Sequence, residues 1–435
     1  MSYEYLSWGR VGASSSDIDY YPVSRQYNLN FASADKILVY GNGRSYGDVC
    51  LSDQASIING RSLDKFIHFN RKDGTLTCET GITLQQILKL IVPTGWFLPV
   101  TPGTQYVTLG GAIANDVHGK NHHAVGSFGC FVEEFELCQS QNQRLVCSKT
   151  QNANYFFATI GGLGLTGWIV WAKIRLLPIC NTNMVTNSYK FANLAEYFVL
   201  NAALAATSSY TVAWIDCLSS GNKLGRGIYF TGEHAGFQER IVLPKLRRLN
   251  VPLKPPVSLI NRYSLQMFNF LYYHRKQSAA PTVQHYEPFF YPLDSINNWN
   301  KLYGKRGFYQ YQFVVPFSGA QEVITEVLKH ISKRKMGSFL AVLKTFGNIS
   351  SGGLLSFARP GVTLALDFAN QGNKTAQLFR ILDQIVLEAG GAIYPAKDAC
   401  MSPELFRHGY PRLEEFKLLK DPKFSSNFWR RVVGE

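Results

Sequence analysis

Four polar side chains stand in segments that otherwise predict apolar strands or a tight turn. In SFLAVLKTF, residues 338–346, both faces of the predicted strand are apolar, so the ammonium of Lys344 needs a buried partner. In YQYQF, Gln310 and Gln312 are two residues apart and point to one face of a strand, where their amides form a paired hydrogen-bonding edge. Lys397 lies in the loop sequence YPAKD, after a double glycine. These side chains are candidates for substrate binding; a structural salt bridge or a solvated lysine is the alternative.

A glycine-rich loop, GNGRSYGD at residues 41–48, directly follows the strand-like run KILVY. Three glycines in seven residues let the backbone bring several N–H groups together, which is the geometry that holds a pyrophosphate. Arg44 adds a positive charge to this loop. The alternative is a glycine-rich hairpin turn.

A second segment, TPGTQYVTLGGAIANDVHGKNHH at residues 101–123, combines small residues with three histidines. The small residues allow the backbone to approach a flat or bulky group. His118 and His122 have the spacing of two metal ligands on a helix, but Gly119 between them disfavours a helix, and only Asp116 could support a metal. We therefore predict histidines that contact a ligand, and no metal site.

A third glycine motif, GLGLTG at residues 162–167, matches the GxGxxG pattern of dinucleotide-binding folds. That pattern must follow a strand and open a helix, whereas this match precedes the strand-like run WIVWAKIRLL. No acidic residue follows about 20 positions later. The sequence therefore excludes a Rossmann-type site here.

The elements around these motifs predict an α+β fold. One helix is expected at residues 84–91, with a capping box formed by Thr83 and Gln86 and a stop at Pro93. The second half holds five strand-like runs of one expected sheet, namely TVAWIDC, RGIYF, YQYQFVVP, SFLAVLKTF and VTLALDF. Amphipathic helices are expected at residues 323–331 and 378–386. Strands and helices mix without regular βαβ alternation, which favours α+β.

The net charge, the cysteines and the uncharged stretches of the chain indicate which binding partners and which cellular location to expect. The chain has 435 residues and a formal net charge of +14, which suits a partner that carries phosphate: nucleic acid, anionic lipid or a phosphorylated small molecule. Its eight cysteines have no CxxC spacing and are predicted to be reduced core thiols of a cytosolic protein. We predict no signal peptide. The uncharged stretch 150–172 is too rich in polar residues and glycine to be a membrane span.

Residues 240–286 form a segment without Asp or Glu that contains eight Lys or Arg residues and the aromatic run MFNFLYYHRK. Basic residues interleaved with Phe and Tyr suit an anionic membrane surface. Phe268, Phe270, Tyr272 and Tyr273 are the predicted inserting residues. The alternative is a basic surface loop plus a helix.

Taken together, GNGRSYGD, the 101–129 segment, ATIGGLGLTG, QYQF, LKTFG, YPAKD and FSSNFWRR resemble one family in their order along nearly the whole chain. They are similar to FAD-dependent oxidoreductases of the vanillyl-alcohol oxidase/p-cresol methylhydroxylase superfamily, and within it to the oxidases of polyprenylphosphoryl-β-D-ribose. The resemblance implies a two-part FAD-binding domain at 1–180 and 394–435. Between these parts it implies an inserted substrate domain at 181–393, built on an antiparallel sheet and carrying 240–286 as a basic flexible segment.

The resemblance also implies roles for individual residues. FAD would be held by Gly41, Asn42, Gly43, Arg44, Ser45, Tyr46, Gly47, Gly103, Thr108, Leu109, Gly110, Gly111, Asn115, Asp116, Val117, His118, Gly119, Ile169 and Tyr394. Substrate would contact His118, Lys120, Trp214, Gln310, Gln312, Lys344, Thr363, Ala365 and Lys397. Catalytic roles are expected for Lys397, Tyr46 and Lys344.

The implied reaction is hydride transfer from the ribose 2-hydroxyl carbon to FAD, followed by the action of a short-chain NAD(P)H-dependent keto-sugar reductase, with net epimerisation to arabinose. Arg44 stands where covalent members often carry a histidine, which implies non-covalent FAD. Ala365 replaces a cysteine that nitroaromatic inhibitors attack in mycobacterial members, Thr363 an asparagine and Phe290 a tyrosine. The expected location is cytoplasmic and peripheral to the inner membrane.

Two other classes of function are compatible with part of the sequence. One is a flavin oxidase of a soluble polyol or aldonolactone, which leaves the basic segment unexplained. The other is a non-enzymatic flavin- or nucleic-acid-binding protein, which leaves Lys344 and the paired glutamines unexplained. We therefore expect no nucleic-acid partner.

Overall fold

Three β-sheets carry most of the architecture of this computed structural model, which describes residues 4–26, 34–243, 249–278 and 280–434. The strands are β1 (Glu4–Leu6), β2 (Ala13–Tyr20), β3 (Ile37–Tyr40), β4 (Ala55–Asn59), β5 (Phe66–Asn70), β6 (Thr75–Glu79), β7 (Trp96–Phe97), β8 (Val132–Cys138), β9 (Arg144–Ser148), β10 (Trp168–Arg175), β11 (Leu177–Pro178), β12 (Asn183–Phe191), β13 (Tyr210–Ile215), β14 (Gly227–His234), β15 (Leu249–Asn250), β16 (Thr282–His285), β17 (Ile296–Asn297), β18 (Phe308–Val315), β19 (Ala341–Phe346), β20 (Gly361–Ala369) and β21 (Ala392–Ile393). The helices are α1 (Leu84–Ile91), α2 (Leu109–Ala114), α3 (His122–Val125), α4 (Ala153–Thr159), α5 (Leu194–Leu204), α6 (Arg262–His274), α7 (Tyr286–Phe290), α8 (Ala320–Arg334), α9 (Asn373–Glu388), α10 (Pro403–Gly409), α11 (Leu413–Lys417) and α12 (Asn427–Val433).

The first 180 residues form two of the sheets. One is four-stranded with the order β1-β2-β4-β3 and mixes antiparallel and parallel pairs. The other is five-stranded and antiparallel, with the order β5-β6-β10-β8-β9. Helix α1 confirms the local prediction, because Thr83 and Gln86 form the capping box and Leu84, Ile87 and Leu88 are fully buried.

The third sheet is antiparallel and eight-stranded, with the order β16-β12-β14-β13-β19-β20-β18-β21. It contains all five strand-like runs predicted for one sheet. One face packs on α5, α8 and α9 and forms the largest apolar cluster, to which Leu343, Leu364 and Phe313 belong. The side chains between these positions point to the opposite face, which lines a cavity. The mixture of antiparallel sheets and helices confirms the α+β prediction.

The C-terminal segment returns to the first sheet. The amide of Ile37 donates to the carbonyl of Lys423 at 2.8 Å, and the amide of Ser425 donates to the carbonyl of Ile37 at 3.0 Å. The guanidinium of Arg431 binds both carboxylate oxygens of Asp48 at 2.9 Å. These contacts join the two parts of the predicted FAD-binding domain, residues 1–180 and 394–435. The boundaries of that domain stay a prediction.

The uncharged stretch 150–172 contains α4 and the beginning of β10. Within the described ranges, no helix combines the length and apolar character needed to cross a membrane. The eight cysteines are all unpaired, but the prediction of core thiols is wrong for Cys180 and Cys400, which are exposed.

Candidate active site

A cavity of about 1260 Å³ lies between the eight-stranded sheet and the glycine-rich segments of the first 180 residues. It brings together nearly all the residues that the sequence predicts for cofactor and substrate. From the predicted cofactor set it is lined by Gly41, Asn42, Gly43, Arg44, Ser45, Tyr46, Gly103, Thr108, Gly110, Gly111, Asn115, Val117, His118, Gly119, Ile169 and Tyr394. From the predicted substrate set it is lined by His118, Lys120, Trp214, Gln310, Gln312, Lys344, Thr363, Ala365 and Lys397.

Three predicted cofactor residues do not line the cavity, namely Gly47, Leu109 and Asp116. Leu109 is fully buried in an apolar cluster, and a side chain at Gly47 would collide with the backbone of Asp398. The carboxylate of Asp116 accepts hydrogen bonds from Ser127, Gly129, Ser351 and Ser356 at 2.6–2.8 Å. The side chains of Leu109 and Asp116 are thus engaged within the protein, and contact of these three residues with the cofactor stays a prediction.

The loop at 41–47 needs glycine for a steric reason. Gly43 has φ +56°, and a Cβ there would come within 2.8 Å of the carbonyl oxygen of Leu6. A Cβ on Gly41 would lie 2.7 Å from the hydroxyl of Thr108, the residue that caps α2. The side-chain amide of Asn42 donates to the carbonyl of Tyr106 at 2.7 Å. The loop is thus pinned against both the first sheet and the 101–123 segment.

The eight-stranded sheet gathers its polar side chains through strand register. Gln310 on β18 lies opposite Asp367 on β20, and Gln312 lies opposite Ala365. Lys344 on β19 lies opposite Thr363 on β20. Trp214 on β13 lies opposite Val342 on β19. Because opposite residues of an antiparallel pair share a face, four separate strands contribute to one wall of the cavity, whose polar members are Gln310, Gln312, Lys344 and Thr363.

A buried trio links Lys344, His118 and Gln312. The Nζ of Lys344 lies 2.8 Å from Nδ1 of His118 and donates to the carbonyl of Gly119 at 2.8 Å. The Nε2 of Gln312 lies 3.0 Å from Nε2 of His118. Burial, and then the charge of Lys344, hold the pKa of His118 well below its usual range, so the imidazole is neutral. The predicted partner of Lys344 is therefore an imidazole and a carbonyl, not a carboxylate.

Lys397 follows β21 in the chain and lines the same cavity, with its Nζ 3.8 Å from the ring centroid of Tyr46. Burial lowers the pKa of Lys397 to about 8, opposed by the negative charge of Asp367. Asp367 is fully buried, accepts a hydrogen bond from Gln310 at 2.6 Å, and has its own pKa raised to about 7 by burial. Burial also raises the pKa of the Tyr46 phenol well above its usual range.

Lys120 completes a cluster of three cavity lysines. Its ammonium bonds the carbonyl of Phe289 and lies 4.3 Å from the centroid of that ring. Burial lowers the pKa of Lys120 to about 7, and burial together with the charges of Lys120 and Lys397 lowers that of Lys344 to about 7. Three lysines facing one cavity favour an anionic ligand.

Sequence reasoning missed part of the lining. Leu163 and Gly164 of the motif excluded as a Rossmann site do line the cavity, although they precede β10 as expected. Sequence reasoning also missed Asp367, which does not line the cavity but bonds Gln310 and lies two residues after Ala365 on the same strand. Alternation along β20 is the signal that finds it. Of the described cysteines only Cys50 lines the cavity, and burial raises its pKa to about 12.

Comparison with known proteins adds an independent line of support. Residues 26–148 match a family described as an FAD binding domain. The chain is 32% identical over 413 residues to decaprenylphosphoryl-beta-D-ribose oxidase of Mycolicibacterium smegmatis, with 91% of this chain and 89% of that protein covered. The chain belongs to this family of FAD-dependent oxidoreductases.

Two further relatives extend the comparison. An uncharacterized protein of Streptomyces coelicolor is 30% identical over 376 residues, covering 81% of this chain and 100% of that protein. D-arabinono-1,4-lactone oxidase of Candida glabrata is 23% identical over 206 residues, covering 45% of this chain and 38% of that protein. The family membership confirms the predicted resemblance, the fold class and FAD as cofactor.

The residues of the cavity fit FAD. Gly103 and Gly164 line it with open space where a Cβ would stand, so a large planar or extended group has access to their backbone. Nε of Arg44 and Oδ1 of Asn115 are buried without a hydrogen-bond partner among the described residues. A dinucleotide supplies both an acceptor for such a donor and donors for such an oxygen, so the cofactor satisfies polar groups that the protein alone leaves unpaired.

Proposed function

We propose that this family member oxidises the ribose 2-hydroxyl of a polyprenylphosphoryl-β-D-ribose to the 2-keto sugar. The relative from Mycolicibacterium smegmatis is named for that substrate class. The cavity suits the same chemistry because Lys120 and Lys344 are positioned to face an anion, and aromatic side chains line another part of it. These aromatic residues include Phe230, Phe268, Tyr272, Phe289 and Phe339. The observation that carries the proposal is this union of a lysine cluster and an apolar wall in one cavity.

The residues that line the cavity would hold FAD, which would supply an acceptor for the hydride of the hydroxyl-bearing carbon. Lys397 in its neutral form accepts the hydroxyl proton, so that the C–O bond becomes a carbonyl and the carbon loses two electrons with its hydride. Tyr46 is the weaker candidate for this role, because the raised pKa of its phenol keeps it protonated. Gln310 orients the substrate beside Asp367.

Lys344 and Lys120 bind the anionic part of the substrate in this proposal. His118 and Gln312 hold Lys344 in place, and the neutral imidazole adds no competing charge. Trp214 donates its indole N–H to the carbonyl of Phe339 at 2.9 Å, so its ring is fixed as a flat wall for the sugar. A short-chain NAD(P)H-dependent reductase that acts on the keto sugar would complete an epimerisation to arabinose.

The cofactor is proposed to be non-covalent. Arg44 occupies the loop position of a flavin-linking histidine, and its guanidinium lies 4.3 Å from the Trp8 ring centroid. Both ring nitrogens of His118 are already engaged by Lys344 and Gln312. Acid precipitation of the holoenzyme should therefore release all flavin into the supernatant. Fluorescence that stays with the denatured protein band would contradict this.

A second candidate is a flavin oxidase of a soluble polyol or aldonolactone, favoured by the partial similarity to D-arabinono-1,4-lactone oxidase. The two candidates differ in what reduces the flavin. Under anaerobic conditions, polyprenylphosphoryl-ribose should bleach the oxidised-flavin absorbance, whereas free ribose and arabinono-1,4-lactone should not. Bleaching by the lactone alone would overturn the proposal in favour of the second candidate.

A further inference from the structure

Exposed apolar side chains are concentrated on two consecutive elements, the segment 249–259 and helix α6. In the segment, exposed fractions run from 51% for Leu259 to 78% for Leu253. On α6, Tyr263, Met267 and Leu271 are 61–70% exposed. Contiguous exposed apolar surface of this kind marks an interaction site in a soluble protein.

Helix α6 has two distinct apolar faces. Tyr263, Met267, Phe270 and Leu271 follow the spacing i, i+4, i+7, i+8 and form the outward face. Phe268 and Tyr272 lie on the adjoining side and line the cavity, where the Tyr272 ring is 4.6 Å from that of Trp214. Helix α6 therefore contributes side chains both to the cavity wall and to the protein surface.

The four aromatic residues predicted to insert lie on different sides of α6. Phe268 and Tyr272 face the cavity. Tyr273 packs inward, with its hydroxyl donating to the carbonyl of Phe191 at 3.3 Å and the guanidinium of Arg226 over its ring. Of the four, Phe270 is the most exposed at 56%, and Phe268, which also lines the cavity, is 39% exposed.

The segment 249–259 lies at the same cavity. Its strand β15 pairs with β17, and Asn250 and Asn297 from these strands line the cavity together with Phe268 and Tyr272. The ammonium of Lys301 donates to the carbonyl of Pro252 at 3.2 Å and fixes the segment further. Exposed apolar residues thus lie on two elements that both contribute to the cavity wall.

The charged residues around this surface indicate what kind of partner binds it. The sequence has no Asp or Glu at 240–286, nor in the neighbouring segment 295–321 that contains β17 and Lys301. Lys254, Arg262 and Lys276 are exposed beside the apolar residues. Lys245, Arg247 and Arg248 of the predicted basic segment lie outside the described residues. A cationic border around exposed aromatic and aliphatic side chains is complementary to an anionic bilayer.

We infer that Leu253, Val257, Tyr263, Met267, Phe270 and Leu271, here termed the mouth surface, insert into an anionic membrane and open the cavity directly onto it. The lipid-linked substrate then passes from the bilayer into the cavity past Phe268 and Tyr272, and its chain never crosses water. This inference rests on the proposed function for the lipid substrate. Docking itself depends only on the surface.

Docking is tested by sedimentation of the FAD-loaded enzyme with vesicles. Binding should be strong to phosphatidylglycerol vesicles at low salt, and weaker at about 1 M NaCl because the Debye length there is only about 3 Å. It should be weak to phosphatidylcholine vesicles. The variant Tyr263→Ser/Met267→Ser/Phe270→Ser/Leu271→Ser should lose at least about tenfold in partitioning, because inserted apolar area no longer contributes.

Matched controls are available on other elements. Val199 on α5 and Leu418 are 70% and 85% exposed, and Val199→Ser/Leu418→Ser should partition like the wild type. Equal binding by the quadruple variant and this control, or no vesicle binding by the wild type, would overturn the inference. Unchanged flavin absorbance in each variant verifies that the fold is kept.

Kinetics separates this inference from the proposed function. With substrate embedded in phosphatidylglycerol vesicles, the quadruple variant should reduce its flavin at least about tenfold more slowly than wild type, in line with its lower partitioning. With a short-chain prenylphosphoryl ribose in solution, the two should react equally. Loss on both substrates would indicate damage to the cavity and would contradict direct membrane access. If neither substrate reduced the flavin of the wild type, the proposed function would be contradicted. The vesicle assay would still test membrane docking by itself.

Discussion

Replacing Lys397 by alanine should abolish reduction of the flavin by substrate while FAD stays bound. The pKa of Lys397 is lowered to about 8, from a usual value of about 10.4. At pH 7.5 about a quarter of the side chains are therefore neutral, compared with about 0.1% for an unperturbed lysine. Burial thus supplies a base that an exposed lysine cannot. Losing a positioned base typically costs about 10²–10⁴-fold in rate, which corresponds to about 3–5 kcal/mol in the barrier.

The rate of flavin reduction should rise with pH if neutral Lys397 accepts the proton. The neutral form grows as pH rises through about 8, so the anaerobic rate of flavin reduction should increase about 25-fold between pH 6.5 and 8.5 and then level off. Stopped-flow absorbance of the flavin measures this rate directly. The exposed Lys374 on α9 offers a matched control, and Lys374→Ala should keep both the rate and the profile.

Two further variants distinguish proton acceptance from simple binding. Lys397→Arg keeps the charge and the hydrogen-bond donors but cannot become neutral at these pH values, so it should remain inactive if Lys397 is the base. A small primary amine added to Lys397→Ala should restore part of the rate, more so at higher pH. Full activity of the arginine variant, or a flat pH profile in the wild type, would refute the assignment of Lys397 as proton acceptor.

Three other expectations follow from the cavity. Asp367→Asn removes a negative charge that raises the pKa of Lys397, so the inflection in the pH profile of flavin reduction should move to lower pH; an unmoved inflection would contradict the coupling. Lys120 and Lys344 have pKa values lowered to about 7, and a bound anionic ligand should raise them. Calorimetry in buffers of different ionisation enthalpy should therefore detect proton uptake on ligand binding at pH 7.5–8, and the affinity should fall as pH rises. Zero proton uptake would argue against a phosphate beside these lysines. Ala365 offers no thiol, so nitroaromatic inhibitors of this family should leave the protein mass unchanged, a result that a stoichiometric adduct on any cysteine would disprove.

Local signals predicted local structure well. The capping box of α1 and the alternation in β18 and β19 depend on residues a few positions apart, and each element formed where its pattern indicated. The apolar residues around Lys344 also predicted that its ammonium has a buried partner. They could not predict which residue that partner is, because His118 lies 226 residues earlier in the chain and meets Lys344 only through the packing of β19 against the 101–123 segment.

Helical phase explains why the four aromatic residues predicted to insert do not share one face of α6. Phe268, Phe270, Tyr272 and Tyr273 were grouped by composition as one inserting cluster. At about 100° per residue, four aromatic positions within six residues cannot share one face of a helix. In α6 they divide between the cavity, the exposed surface and the contact with Phe191. A periodicity analysis that began at the capping residue Asn261 would have separated them.

The charge of the cavity links its cofactor, its substrate and its neighbouring surface. Loss of hydration on burial lowers the pKa of all three cavity lysines, and the charges of Lys120 and Lys397 lower that of Lys344 further. Asp367 offsets only part of this cost, because its own carboxyl is buried and has a raised pKa. An enzyme that only had to bind a neutral sugar would gain nothing from such a wall. In the proposed function, the phosphate of the substrate would offset this cost, and its lipid chain would account for the apolar, acid-free elements at the same cavity.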